Sequence, residues 1–175
     1  MATTSMSSLG FRDILVRNGI HPPITMRANG AEIFPGYPVT CDGHTYPDCG
    51  RPDGLADPIL GVAGCPENKD IDTVLADDLE FPVYLCGSGA IVRMYHGLDD
   101  GSILAGEIVV ASCIDDDGHI RSLTKAWTDL TAAAETAQAT VLATAITSLY
   151  SILGRALETH ASSGTTTPIQ VILSI

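Results

Sequence analysis

Two cysteines and a histidine lie close together in the first half of the chain. They are Cys41, His44 and Cys49, in the stretch Cys-Asp-Gly-His-Thr-Tyr-Pro-Asp-Cys. Two thiolates and an imidazole are ligands that hold zinc tetrahedrally, and Cys65 could supply the fourth. The chain has no Cys-x-x-Cys, and a second Asp-Gly-His at 117–119 has no flanking cysteines. Three readings stay open: a zinc site, a Cys41–Cys49 disulfide, or unpaired loop thiols.

Runs of aspartate end in glycine at two further places, Asp99–Gly101 and Asp115–Gly118. Their carboxylates could bind calcium, but neither run has the ligand spacing of an EF-hand. Aspartate and glycine are also ordinary turn formers at the tips of hairpins. We therefore interpret both runs as turns, with calcium binding as the alternative.

The sequence contains no recognisable catalytic arrangement. A cysteine nucleophile needs a base beside its thiol, and the only local pair is Cys41 with His44. Cys86 and Cys113 lie in apolar segments that favour strands. No Gly-x-Ser-x-Gly elbow, P-loop or dinucleotide-binding fingerprint occurs. We expect a protein that is not an enzyme and that carries no cofactor.

The composition limits the partners of the chain. Its 175 residues carry a formal net charge of −12, with Lys69 and Lys125 as the only lysines. Such a surface disfavours nucleic acid and anionic membranes, both of which attract cationic side chains. The first eight residues lack a basic and apolar signal, and no apolar run has the length of a membrane span. We expect synthesis in a cytosol.

A short phrase occurs twice and organises the chain. Each copy is Ile-Leu-Gly-x-Ala, and each follows a Gly-x-x-Val and then an Asp-Gly-His. Glycine within a strand permits another backbone to approach closely, so the phrase is interpreted as scaffold. This order predicts a duplicated β unit, with its copies at Gly36–Val39, 42–44 and Ile59–Ala63 and at Gly106–Val109, 117–119 and Ile152–Ala156.

Short apolar segments bounded by glycine and proline turns predict a mainly β barrel or sandwich. We expect an extended N-terminal arm at 1–23 and a single β-barrel domain at 24–175. The first unit would cover 24–97 and the second 101–175. Residues 42–58, rich in turn signals, are expected to form a long loop.

A glycine-rich turn separates two of the predicted strands. Phe81–Cys86 and Ala90–Tyr95 flank Gly87-Ser-Gly89, which predicts a hairpin. Alternation or apolar runs predict further strands, at Ile24–Ala28, Tyr37–Cys41, Pro58–Gly64, Gly106–Ile114, Ser151–Glu158 and Pro168–Ile175.

The stretch 128–150 breaks the β pattern. Its alanines and leucines recur every three or four residues, which predicts a helix capped by Thr128 or Asp129. The second unit is longer than the first by nearly this length, so the helix is interpreted as an insertion. Its face of small residues could pack on the barrel or pair with copies of itself.

The order of these segments resembles the small β-barrel decoration, or cement, proteins of tailed viruses that infect bacteria and archaea. The resemblance covers the chain from about residue 30 to its end, apart from 128–150, and rests on glycines and strands. The segments that carry it are Pro35–Gly43, Pro58–Gly64, Phe81–Val92, Ala105–Ala111, Ile152–Glu158 and the final Ile-Gln-Val-Ile-Leu.

The resemblance implies a structural protein on the outer surface of an icosahedral virion shell. Its partners would be the major capsid protein and, in a homotrimer, two further copies of itself. The long cysteine-containing loop at 41–58 and the helix at 128–150 depart from the family pattern. The alternatives are a zinc-stabilised binding module using Cys41, His44 and Cys49, and another virion component such as a spike base or a minor capsid protein.

Overall fold

The computed structural model describes residues 13–30, 32–41, 43, 45–52, 57–67, 69–96, 101–112, 118–125, 152–161 and 167–174. Strands dominate this part of the chain. Their bounds are β1 Leu15–Arg17, β2 Ile24–Ala28, β3 Pro38–Thr40, β4 Asp48–Cys49, β5 Ile59–Ala63, β6 Glu80–Leu85, β7 Ile91–His96, β8 Ile108–Ser112, β9 His119–Ser122, β10 Ile152–Ala156 and β11 Thr167–Ile172.

The strands form two sheets that curl into barrels. The first sheet has the order β3-β5-β6-β2-β4, and a bridge between Thr40 and Gly50 joins its two ends. The second has the order β1-β7-β11-β10-β8-β9, and it closes where His96 of β7 pairs with Ile120 of β9. The prediction of a mainly β, barrel-like fold is confirmed.

Both barrels are built on one plan. β2, β3, β4, β5 and β6 of the first correspond in order to β7, β8, β9, β10 and β11 of the second. The parallel pair β2–β4 matches the parallel pair β7–β9. A hydrogen bond at a turn also repeats. The Gly36 amide donates to the Ala63 carbonyl at 2.7 Å, and the Gly106 amide donates to the Ala156 carbonyl at 2.8 Å. The order of strands thus repeats along with the sequence phrase.

The leucine of each Ile-Leu-Gly-x-Ala forms a β-bulge. In β5, Ile59 and Gly61 face consecutive residues of β3, so Leu60 has no opposite residue. In β10, Ile152 and Gly154 face consecutive residues of β8, so Leu153 has no opposite residue either. A bulge bends a strand and increases its twist, which is what a small closed barrel requires.

The glycine of each phrase is fixed by a close contact with the next strand. A Cβ on Gly61 would overlap the carbonyl oxygen of Tyr84 in β6. A Cβ on Gly154 would overlap the carbonyl oxygen of Ile172, the corresponding residue of β11. The phrase is therefore scaffold in both barrels, as its sequence indicated.

Each barrel encloses its own apolar core. The first core includes Met26, Phe81 and Val83, and the second includes Met94 and Ile169, all with at most 1% exposure. Alternation along the strands turns Val62 and Tyr84 of the first barrel towards the second core.

The structure corrects the predicted hairpin between Phe81 and Tyr95. β6 pairs with β5 and β2, whereas β7 pairs with β11, β9 and β1, so Gly87–Gly89 connects two barrels. β7 belongs to the second repeat, and the repeats divide before it instead of at 97–101. The glycines specify a turn, but they do not specify whether the two strands that flank the turn pair with each other.

Two other predictions change at the Asp-Gly-His copies. The expected loop at 42–58 contains β4, which forms by parallel pairing with β2. Both copies place glycine in the left-handed region, with φ 70° at Gly43 and 94° at Gly118. However, the ladders make Asp48, which lies outside the first Asp-Gly-His, the counterpart of His119 in the second. Turns form locally, and pairing between distant strands sets the register.

A helical turn covers residues 123–125, and the Ser122 hydroxyl accepts a hydrogen bond from the Lys125 amide at 3.0 Å. This is the geometry of an N-terminal cap. The predicted helix at 128–150 and its predicted caps, Thr128 and Asp129, lie outside the described residues.

Of the expected N-terminal arm, the structure describes residues 13–23. β1 pairs with β7, and Ile14 is fully buried in the second core. The Ile20 amide donates to the Ser88 carbonyl at 2.7 Å, while the Ile20 side chain is 86% exposed. This segment therefore attaches to the second barrel of its own chain.

Candidate functional site

The structure places Cys41 directly after β3 and Cys49 at the end of β4 as free thiols. Partial burial raises the pKa of Cys41. Burial raises the pKa of Cys49 to about 12, with smaller contributions from Cys41 and Asp48. Both groups are therefore thiols at neutral pH.

The third proposed ligand, His44, lies outside the described residues. Within the described ranges, no three or more histidine, cysteine or acidic side chains are grouped so that they could hold a metal ion. The aspartates of the two proposed calcium turns, at 99–100 and 115–117, also lie outside the description. The zinc and calcium alternatives gain no support from the residues that can be placed.

The other described cysteines are not activated either. Burial raises the pKa of Cys86 to about 12. Burial and then the nearby Asp13 and Asp70 carboxylates raise the pKa of Cys65. The Cys65 thiol also donates to the Lys69 carbonyl at 3.2 Å. A nucleophilic thiolate requires the opposite shift, so these sites do not favour cysteine catalysis.

One partly buried polar contact distinguishes the second barrel from the first. The Nδ1 atoms of His96 and His160 lie 3.0 Å apart, with ring planes at 86°. His160 bridges to Ile103 as Leu75 bridges to Ile33 in the first barrel. Sequence analysis did not single out either histidine, because their equivalence to apolar residues appears only after the ladders are aligned.

Aromatic side chains fill the contact between the barrels. The Tyr37 ring lies 6.1 Å from the rings of both Tyr95 and His119, and it packs directly on the backbone of Gly118. Tyr37 also touches both apolar cores. This cluster fixes how the two barrels lie against each other.

An acidic groove of about 450 Å³ runs along the outside of β2 and β6. Two carboxylates, Glu67 and Glu80, face it, and none of the described residues that line it is basic. The described residues that line it are Thr25, Cys65, Pro66, Glu67, Glu80, Phe81 and Pro82. A concave surface with this charge is suited to a positively charged side chain rather than to an anion.

The far edge of β2 is tied to β4 by an ion pair. The Arg27 Nε donates to Asp48 Oδ1 at 2.6 Å. This hydrogen bond, together with the charge of Asp48, raises the pKa of Arg27. The pair lies on a partly exposed surface, so its role is to set the register of β4 more than to add stability.

Comparisons of the chain with models of protein families, with curated proteins and with solved structures gave no match. In the described part of the chain, no helix is long and apolar enough to cross a membrane.

Proposed function

We propose that the chain is a structural protein, without enzymatic activity, that decorates the outer surface of an icosahedral viral shell. The observation that supports this most is that the repeated phrase has a structural role in both barrels. Its leucines form bulges and its glycines receive neighbouring carbonyls in two barrels. The residues that carry the resemblance to decoration proteins thus serve the scaffold, and no chemistry is attached to them.

The partners in this proposal are the major capsid protein and further copies of the chain, most simply in a homotrimer. Contacts would come from the parts that the two barrels do not share. These are the N-terminal segment, the 42–58 loop apart from β4, and the 128–150 stretch. Many copies on one shell multiply weak contacts by avidity, so each copy needs only a modest interface.

A binding assay tests the proposal. Purified chain is mixed with expanded, undecorated shells, which are then sedimented, and the bound chain is quantified over a concentration series. Saturable binding at micromolar concentration or below is expected. No saturable binding would contradict the proposal, and a shell that has not expanded serves as the matched control.

Metal analysis, combined with the same binding assay, separates decoration from the zinc-stabilised alternative. Elemental analysis of protein purified without chelator is expected to find metal well below one equivalent. Binding is expected to be unchanged after treatment with a chelator. A full equivalent of zinc, with loss of binding on its removal, would favour the zinc module.

Native mass spectrometry addresses the self-association in the proposal. A trimer, free or on release from the shell, would support a homotrimeric decoration protein. A species that stays monomeric at all concentrations would remove the homotrimer from the proposal, although single copies could still bind the shell.

A further inference from the structure

The N-terminal segment completes an edge of the second barrel. β1 lies antiparallel to β7, with Leu15 opposite Val92. The Arg93 amide donates to the Ile14 carbonyl at 2.8 Å. This edge of β7 is thus satisfied by an extended segment from elsewhere in the chain.

Thr25 occupies in β2 the position that Arg93 occupies in β7. Thr25 lies opposite Pro82, as Arg93 lies opposite Gln170. Pro82 and Gln170 are themselves equivalent, because their carbonyls accept bonds from the residues that follow β5 and β10. The first barrel therefore has the same edge that β1 covers in the second.

The backbone of Thr25 points outward from the first barrel. Pro82 has no amide hydrogen, and its carbonyl accepts from Gly64 on the β5 side. The Arg27 amide points to the opposite side, where it donates to Pro47 at 2.9 Å. Residues two apart in a strand point the same way, so the Thr25 amide faces this edge as well. No strand among the described residues pairs with the edge at Thr25.

The chemistry beside this edge is acidic and partly apolar. The groove that Thr25 lines carries Glu67 and Glu80 on a floor that includes Phe81. Tyr46, which precedes the bond acceptor Pro47, is 75% exposed. Exposed tyrosine is common at protein interfaces, and paired carboxylates attract lysine or arginine. A second copy of this chain, with a net charge of −12, is a poor match for such a groove.

We propose that the β2 edge at Thr25 receives an extended segment of the shell protein, which adds a strand to the first barrel. This rests on the proposed function and names the surface that performs it. The Thr25 amide and carbonyl bond to the segment, and a lysine or arginine of the segment lies over Glu67 and Glu80. Pro23 stands where β7 has Ile91, so the added strand uses no donor there and is short.

Variants at Thr25 test the backbone contact. Thr25→Pro removes the outward amide at a site that makes no bond within the sheet, whereas Thr25→Val keeps the amide and serves as the control. Binding of Thr25→Pro to undecorated shells is expected to weaken about tenfold, because the segment loses a bond to a desolvated carbonyl. Thr25→Val removes only the hydroxyl and is expected to weaken binding much less than Thr25→Pro does.

Charge variants test the groove. Glu67→Gln and Glu80→Gln are expected to weaken binding several-fold each, with the largest effect at low salt. Glu32→Gln, at an exposed carboxylate outside the groove, is the matched control and should bind as the original chain does. Equal effects at all three positions would indicate general charge and would overturn the groove's role.

Hydrogen exchange of the unmodified chain keeps the test valid even if Thr25→Pro fails to fold. Exchange of the Thr25 amide is expected to slow at least tenfold on shell-bound chain relative to free chain. If the chain binds shells and this amide exchanges at an unchanged rate, the edge proposal is wrong and decoration stands. If the chain does not bind shells at all, decoration itself fails.

Discussion

His96 and His160 share a hydrogen bond at 3.0 Å between their Nδ1 atoms, at the positions that Ala28 and Leu75 occupy in the first barrel. The side chain of His96 is fully buried. One ring must donate and the other must accept, so at least one of them is neutral. A polar contact therefore replaces apolar packing at one of two otherwise equivalent places.

His96 and His160 should stabilise the second barrel jointly, so that the costs of replacing each of them do not add. His160→Leu removes the ring that contacts His96 Nδ1, and we expect a loss of about 1–3 kcal/mol in the free energy of unfolding. The double variant His96→Ala/His160→Leu carries the residues of the first barrel. Its cost should fall below the sum of the single changes by about 1 kcal/mol. Urea denaturation of His96→Ala, His160→Leu and the double variant measures the coupling, and simple additivity would show that the histidines are not coupled.

Alanine at either phrase glycine should be poorly tolerated. Gly61→Ala and Gly154→Ala would force a Cβ into a neighbouring carbonyl oxygen, and each should cost about 2–3 kcal/mol. Gly30→Ala is the control, because its φ of 93° is strained for alanine although nothing lies within 4 Å of the added atom. That change should cost about 1–2 kcal/mol. Equal losses at the three sites, measured by urea denaturation, would contradict the close-approach explanation.

The free energy of unfolding should fall at alkaline pH, because unfolding then releases protons from buried thiol and phenol groups. Burial raises the pKa of Cys49 and Cys86 from 9.0 to about 12, and that of Tyr84 from 10.0 to about 12. Because the folded pKa is the higher one, these groups contribute stability that is fully present below pH 9. The contribution is lost as the pH rises through the window from 9 to 12.

The Cys86→Ala variant isolates one of these contributions. Its urea midpoint should decline less steeply between pH 9 and 11 than that of the original chain. Cys65→Ala, which removes a partly exposed thiol, should change the slope less. In the native protein at pH 8, Cys49 and Cys86 should react with iodoacetamide far more slowly than after unfolding in urea. Rapid native alkylation of either thiol would contradict the assigned burial.

Loss of the Tyr37 ring should weaken the contact between the barrels. Tyr37→Ala removes its packing on Gly118 and on both cores, and we expect a loss of about 2–4 kcal/mol. Tyr37→Phe keeps the ring and should cost about 1 kcal/mol or less. Guanidinium unfolding followed by circular dichroism measures both. An alanine variant as stable as the phenylalanine variant would show that the ring does not join the barrels.

The repeated strand unit could be predicted because its signals are local, whereas its folding as two barrels instead of one could not. Gly36 and Gly106 adopt positive φ in equivalent turns, at 92° and 88°, and such sites select glycine wherever they occur. Gly61 and Gly154 are selected by close approach of a carbonyl. These four residues kept the two copies recognisable although most other positions differ.

The wrong predictions concern pairing between distant segments. Gly87–Gly89 specifies a turn, but only the ladders show that β7 pairs with β11 instead of β6. β1 joins an edge more than seventy residues away in the chain. His160 could be aligned with Leu75 only across the long stretch 126–151, where the sequence alone gives no register. The open edge at Thr25 also follows only from the strand pairing, because the pairing makes Thr25 the counterpart of Arg93.

The stoichiometry of binding to expanded, undecorated shells tests the central claim most directly. Sedimented shells are titrated with the chain, and the copies bound per shell at saturation are counted by quantitative gel densitometry and located by electron cryomicroscopy. Decoration predicts a fixed plateau, with density on the outer surface at symmetry-related sites between major capsid proteins. Binding that never saturates, or shells whose outer surface stays bare at micromolar chain, would contradict it.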